Sequence, residues 1–152
     1  MRRLSASGTH KDMVRRYFAE AVGKRNADLL DELWAPDCVV HRPEVSGPIV
    51  GLEEFKRYFK GILDAYSVFT TAIDDMIAEG DRVACRLSHR AVHHGEWTSR
   101  VGRHAVDGRT VSFSAMAVFR FRGGKIAEQW VSRDELGMLL QLGIVSPERS
   151  AS

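Results

Sequence analysis

The run from Thr110 to Phe121 alternates strictly. Val111, Phe113, Ala115, Ala117, Phe119 and Phe121 fall at one parity, Ser112, Ser114, Met116, Val118 and Arg120 at the other. Successive side chains of a strand point to opposite faces, so the first set forms one continuous apolar face. A helix cannot gather that set on one side, because its faces recur every three to four residues. The second set is partly apolar through Met116 and Val118. That predicts a strand covered on both faces, one by helices and one by a partner subunit.

The rest of the chain supplies those partners. After Thr9-His10-Lys11-Asp12, Met13, Tyr17, Phe18, Ala21 and Val22 recur at helical spacing as far as Gly23. Asn26 is placed to cap a second helix that buries Leu29, Leu30, Leu33 and Trp34 and stops before Pro36. Asp37–His41 reads as a short strand feeding a Pro/Gly loop, and Leu52 to Tyr66 as a third helix with an aromatic face. From Val68 the period changes to that of strands, over 68–78, 82–92, 110–121 and 125–134, with a longer connection at 95–109. Helices followed by antiparallel strands predict an α+β fold in one domain, 9–145, with flexible tails at 1–8 and 146–152.

At 152 residues, 44% hydrophobic and 28% charged, the composition is that of a soluble globular protein with room for a core and a pocket. No apolar run reaches membrane-span length, and the basic start has no apolar region behind it, so a cytoplasmic location and no membrane partner are expected. Cys38 and Cys85 lack metal-site spacing and read as buried free thiols. The net charge of +2 is spread without aromatic interleaving, which argues against nucleic acid. No dinucleotide fingerprint, P-loop or GxSxG elbow occurs, so no cofactor is expected. Nor is a metal, since His93 and His94 point to opposite faces of a strand and His89 lies about 13 Å from His93 along it.

The segment after Gly123-Gly124 carries the candidate chemistry. Read as one strand, 125–134 puts Ile126, Trp130 and Asp134 on the same face. A carboxylate beside an indole is partly desolvated, which raises its pKa toward the range useful for proton transfer. Asp134 is therefore the candidate acid/base. It is equally placed to cap a short helix, Glu135 to Leu142, closed by Gly143. His41, where a strand meets the Pro/Gly loop, can reach a cavity, and Arg86, in an otherwise apolar strand, should meet a carboxylate. Trp130 is readable as core or as cavity wall.

Several segments together resemble the SnoaL-like polyketide cyclases, or ester cyclases, of the nuclear transport factor 2-like superfamily, over roughly residues 10 to 145. They are Ala35-Pro36-Asp37-Cys38-Val39-Val40-His41 with Gly51, Asp75 to Ala84 leading into Arg86, His93-His94-Gly95-Glu96, Gly124 to Trp130 with Asp134, and Leu139-Leu140-Gln141-Leu142-Gly143. The resemblance implies a cone-shaped, curved antiparallel sheet that encloses a deep pocket with three helices, as a homodimer. It also implies a cofactor-free intramolecular aldol condensation of a polyketide-like ester of the kind used in antibiotic biosynthesis. Asp134 would be the acid/base, and His41, Arg86, His93 and Trp130 would line the pocket around a hydrophobic, polycyclic substrate. Two other uses of the frame stay open: water addition, as in epoxide opening or hydroxylation, and non-catalytic ligand binding or dimerisation. The chain departs from the family pattern at 97–111, at Leu87 and at 65–69, all near the expected cavity mouth.

Overall fold

The structure, a computed structural model, describes residues 6–148, with side chains from residue 8, so the expected tails lie largely outside the described residues. Helix α1 (Ala6–Arg16) runs directly into a π-helical turn (Tyr17–Val22) that Gly23 closes by donating its N–H to the Phe18 carbonyl at 3.0 Å. The wider turn directs Tyr17, Phe18, Ala21 and Val22 inward together. The second helical segment is shorter than its sequence pattern predicts: a 3₁₀ turn (Ala27–Leu29) and α2 (Leu30–Leu33), without the expected Asn26 side-chain cap. Strand β1 (Trp34–His41) already begins at Trp34. Pro36 disfavours the helical conformation for the residue before it, and an extended chain carries the indole onto Phe55 at 4.4 Å between centroids.

After the two-residue β2 (Ile49–Val50), α3 (Leu52–Ala65) buries Leu52, Phe55, Phe59 and Leu63, the i, i+3, i+7, i+11 stripe of an amphipathic helix. The remaining elements are β3 (Tyr66–Glu79), β4 (Arg82–His93), β5 (Glu96–Ser99), β6 (Gly102–Ala105), β7 (Thr110–Arg122), β8 (Lys125–Arg133) and α4 (Glu135–Gln141). The long 95–109 connection holds the β5–β6 hairpin. The main sheet has the order β2-β1-β8-β7-β4-β3 and is antiparallel except where β1 runs parallel to β8. Helix α4, which Gly143 follows with φ 71°, packs back on β7, where the Gln141 side chain exchanges hydrogen bonds with the Ser112 backbone.

The alternation of β7 is realised. Val111, Phe113, Ala115, Ala117, Phe119 and Phe121 are buried against the helices, while Met116 on the other face is 62% exposed. Phe119 anchors this core with edge contacts to Tyr17, Phe18 and Trp34. A second cluster, under α4 and the hairpin, gathers Tyr66, Trp97, Val106, Phe113 and Met138. Between the large ends of β7, Ala115 and Ala117 leave the concave face shallow, and a cavity sits there.

Strand β8 does not keep one phase. Phe121 pairs with Ile126, but Arg120 pairs with Glu128, so Ala127 is a bulge. A bulged residue advances the side-chain alternation by one. Ile126 is therefore inward, and beyond the bulge Gln129, Val131 and Arg133 face the cavity while Trp130, Ser132 and Asp134 do not. The face expected to join Ile126 to Trp130 and Asp134 is split.

Candidate functional site

The concave face encloses a chamber of about 60 Å³ lined by the π-helical turn (Tyr17, Phe18, Val22), α3, Phe69, Leu87, His89, Phe113 and the two alanines, with Arg42, Gln129 and Arg133 as polar members. A vestibule of about 370 Å³, between Tyr58, Ile62, Tyr66 and the hairpin residues Glu96–Arg100, lies next to it. Ile62 and Arg133 line both. The chamber has space for roughly two waters and the vestibule for a ring-sized molecule.

The Arg42–Val45 turn, closed by Val45 N–H donating to the Arg42 carbonyl at 3.1 Å, carries Glu44 into the mouth. Glu44 Oε1 accepts from Arg42 Nε at 2.6 Å and from the Tyr58 hydroxyl at 3.0 Å, and Arg133 Nε lies 3.8 Å away. Burial works to raise the Glu44 pKa, but the charges of Arg42 and Arg133 outweigh it and hold the carboxyl below its ordinary value. Glu44 is thus an anion at neutral pH. Glu135, buried at 5% exposure, accepts from Arg100 Nε at 3.0 Å and lies 3.6 Å from Arg133 Nη2. Burial raises the Tyr66 pKa, which keeps its hydroxyl protonated. His89 and His93 are each brought down to about 4, first by burial and then by nearby arginines, and are neutral imidazoles at pH 7. His89 Nδ1 shares a hydrogen with Thr71 Oγ1 at 2.9 Å.

The residues singled out from sequence fall in three places. His41 and Trp130 stack at 5.3 Å in a groove of about 500 Å³ on the outer face of the sheet, with Arg82 over the indole and Glu128 on His41 Nε2 at 2.7 Å. Arg86 and Asp134 line a neighbouring outer groove of about 360 Å³, where Arg86 meets Asp74 at 3.8 Å. Met116 and Ser132 belong to both grooves. Asp134 is exposed and caps α4, its Oδ1 accepting from Gly137 N–H at 2.9 Å. His93 lies on the inner side, 1% exposed, between Tyr66 and Trp97 at 4.9 and 5.3 Å.

The inner polar group, Arg42, Glu44, Tyr58, Tyr66, Trp97, Arg133 and Glu135, was not legible from spacing. Glu44 sits in a loop whose direction only the turn decides, and Arg133 gains its inward aspect from the bulge. The one available signal was Glu44 beside Arg42 in a Pro/Gly loop. Among the described residues no three His, Cys, Asp or Glu side chains gather as a metal site, and no helix is long and apolar enough to cross a membrane.

Residues 11–142 match the profile of the SnoaL-like polyketide cyclase family. Among solved structures, IdmH from Streptomyces antibioticus, a proposed polyketide cyclase, is 28% identical, with a TM-score of 0.74 over 88% of this chain and 97% of its own. AclR from Streptomyces galilaeus, a proposed hydroxylase, is 25% identical, with a TM-score of 0.77 over 93% and 100%. TsrD from Streptomyces laurentii shares the fold at 21% identity, with a TM-score of 0.78 over 94% and 100%. No curated protein matches the sequence.

Proposed function

Because the chain belongs to the SnoaL-like polyketide cyclase family, and is therefore a small-molecule cyclase or related enzyme, we propose that it closes a carbon ring by cofactor-free intramolecular aldol condensation of a polyketide-like ester at the vestibule and chamber. The observation that carries this reading is the anionic Glu44 at the edge of an apolar cavity, held by Arg42 and Tyr58 with one carboxylate oxygen left over. Glu44 takes a proton from the carbon next to a carbonyl. The resulting enolate carbon attacks a second carbonyl of the same molecule, forming the C–C bond and an alkoxide. Protonated Glu44 then returns its proton to that alkoxide, so the product keeps the mass of the substrate. The Tyr58 hydroxyl and the Arg42 guanidinium orient the carboxylate throughout.

Asp134 is a second position for the acid/base. Its support is that it shares an outer groove with Arg86, Asp74 and Ser88, so a substrate lying there would meet a cation and two carboxylates. In that version His41 and Trp130 contact the same ligand from the adjoining groove, and His93 serves only the inner cluster. Water addition is the other chemistry the mouth could support, since Glu44 and Glu135 flank Arg133 as two carboxylates around one cation, and AclR is described as a proposed hydroxylase.

Incubation with a keto-ester that bears a ketone within reach of its activated carbon, followed by mass spectrometry, tests the reading. A cyclised product of unchanged mass supports it, and a product heavier by one water replaces it with water addition. Binding without any new product leaves a ligand-binding module.

We also propose a homodimer through the outer face of the sheet. Ile77, Ala84, Val118 and Trp130 pair in one row across β3, β4, β7 and β8, beside the exposed Met116. A cytoplasmic location accords with two free thiols, Cys38 and Cys85.

A further inference from the structure

We propose that Arg133 Nε–H and the Tyr66 hydroxyl form a binding site for one ionised oxygen on a planar ring of the substrate, an enolate or phenolate, with the ring resting against Trp97. Both donors are buried and neither has a hydrogen-bond acceptor among the described residues. Buried donors are normally satisfied, and the nearby carboxylate oxygens of Glu44 and Glu135 stand 3.8 and 3.6 Å from the Arg133 guanidinium, beyond hydrogen-bond reach, so the two unmet donors on adjoining side chains leave a place for an acceptor brought by a ligand.

The local charge agrees. At the mouth, Arg42, Arg100 and Arg133 face two carboxylates, the half-buried Glu44 and the buried Glu135. Glu44 is hydrogen-bonded to Arg42 at 2.6 Å and Glu135 to Arg100 at 3.0 Å, while Arg133 stands 3.8 and 3.6 Å from the two, too far for hydrogen bonds. At the rim, Glu96 and Arg103 pair with each other. One cation is thus in excess, and a ligand with one negative charge balances it.

Position and shape select the rest. Arg133 borders both vestibule and chamber, so an oxygen held there belongs to the part of the ligand that enters first. The guanidinium carbon lies 6.0 Å from the Trp97 ring centroid, and Tyr58 and Tyr66 complete an aromatic wall suited to a flat ring. Two donors from different side chains converge better on one oxygen than on the two oxygens of a carboxylate, which favours the fork of a single guanidinium. The inference rests on the mouth being the reaction site and adds to it the group that holds enolate charge during ring closure.

The test uses the full chain and two probes, 2-acetylindane-1,3-dione, a planar enol ionised at neutral pH, and its uncharged enol methyl ether, in titration calorimetry. The enolate is expected to bind at least about tenfold more tightly than the ether, as charge-assisted hydrogen bonds require. In Tyr66→Phe, which removes a hydroxyl that donates to no acceptor among the described residues, and in Arg133→Gln, that preference should fall to about twofold or less. Thermal unfolding of both variants reports separately whether they fold. Equal affinity for the two probes, no binding of either, or a preference that survives in both folded variants overturns the proposal. An intact preference without ring closure of any keto-ester would sink the cyclase reading and leave this site standing.

Discussion

Arg133 and Asp134 are neighbours in sequence yet serve opposite sides of the sheet. The Arg133 side chain is 11% exposed between chamber and vestibule, whereas Asp134 is exposed and caps α4. Strand alternation sets the two side chains apart, and the bulge at Ala127 decides that Arg133 is the one turned inward, which divides the two versions of the catalytic proposal between two surfaces that single substitutions can tell apart.

Glu44→Gln should lower the rate of ring closure by about 10²- to 10⁴-fold, the usual contribution of a positioned acid/base group. Asp134→Asn should leave the rate within about twofold, since asparagine caps a helix as well as aspartate does. Steady-state kinetics on both variants decide the matter: loss of turnover in Asp134→Asn with Glu44→Gln active moves the reaction to the outer groove.

The cap itself predicts a stability effect. Asp134→Ala removes the acceptor for Gly137 N–H and should cost about 1 kcal/mol in urea unfolding, while Asp134→Asn should cost a few tenths at most. Equal stability of Asp134→Ala and the parent would mean that the 2.9 Å bond contributes nothing in solution.

Stability should fall with acid below neutrality. His89 and His93 hold pKa values near 4 in the fold, below the ordinary 6.5, so the unfolded chain binds more protons in between. Their contribution is complete above about pH 6.5 and is lost as pH falls toward 4, with a slope of up to about 1.4 kcal/mol per pH unit for each histidine. Urea titrations from pH 4.5 to 7.5 should show a steeper decline in the parent than in a His89→Phe/His93→Phe variant. Parallel profiles would show that the imidazoles are accessible to protons in the native state.

Both thiols should be silent toward a disulfide reagent at pH 8. Burial pushes Cys38 to about 11, with the Asp37 charge adding to it, and Cys85 to about 12. Because the thiolate is the reactive form, native reaction should be at least about a hundredfold slower than in urea, where both thiols titrate. Rapid native labelling would indicate local opening of β1 or β4.

If the outer face is the dimer interface, Met116→Lys places a charge in its middle and should shift sedimentation from dimer to monomer. Phe119→Ala, on the concave face, should instead cost about 3–5 kcal/mol of folding stability by leaving a cavity where three aromatic rings now meet. A monomeric parent protein would remove the dimer proposal.

The sequence by itself determined the elements and the family. The two-residue period of 110–121 required a strand with one buried face, helical spacing required α1 and α3, and the segments around Gly51, Glu96 and Gly124 pointed to the SnoaL-like fold. These are local properties, written in residues close along the chain. Tertiary structure decided which way side chains face and what they meet. One bulged residue, Ala127, exchanged the faces of β8 and took Trp130 and Asp134 out of the cavity, and strand period carries no sign of where such an insertion falls. The β5–β6 hairpin brought Trp97 to the mouth, and the Arg42–Val45 turn brought Glu44 beside Arg133, a residue far away in the sequence. A charge cluster assembled from two loops, one strand and a helix N-terminus exists only once the sheet has curled, because the attraction between its members acts through space and leaves no periodic trace in the chain.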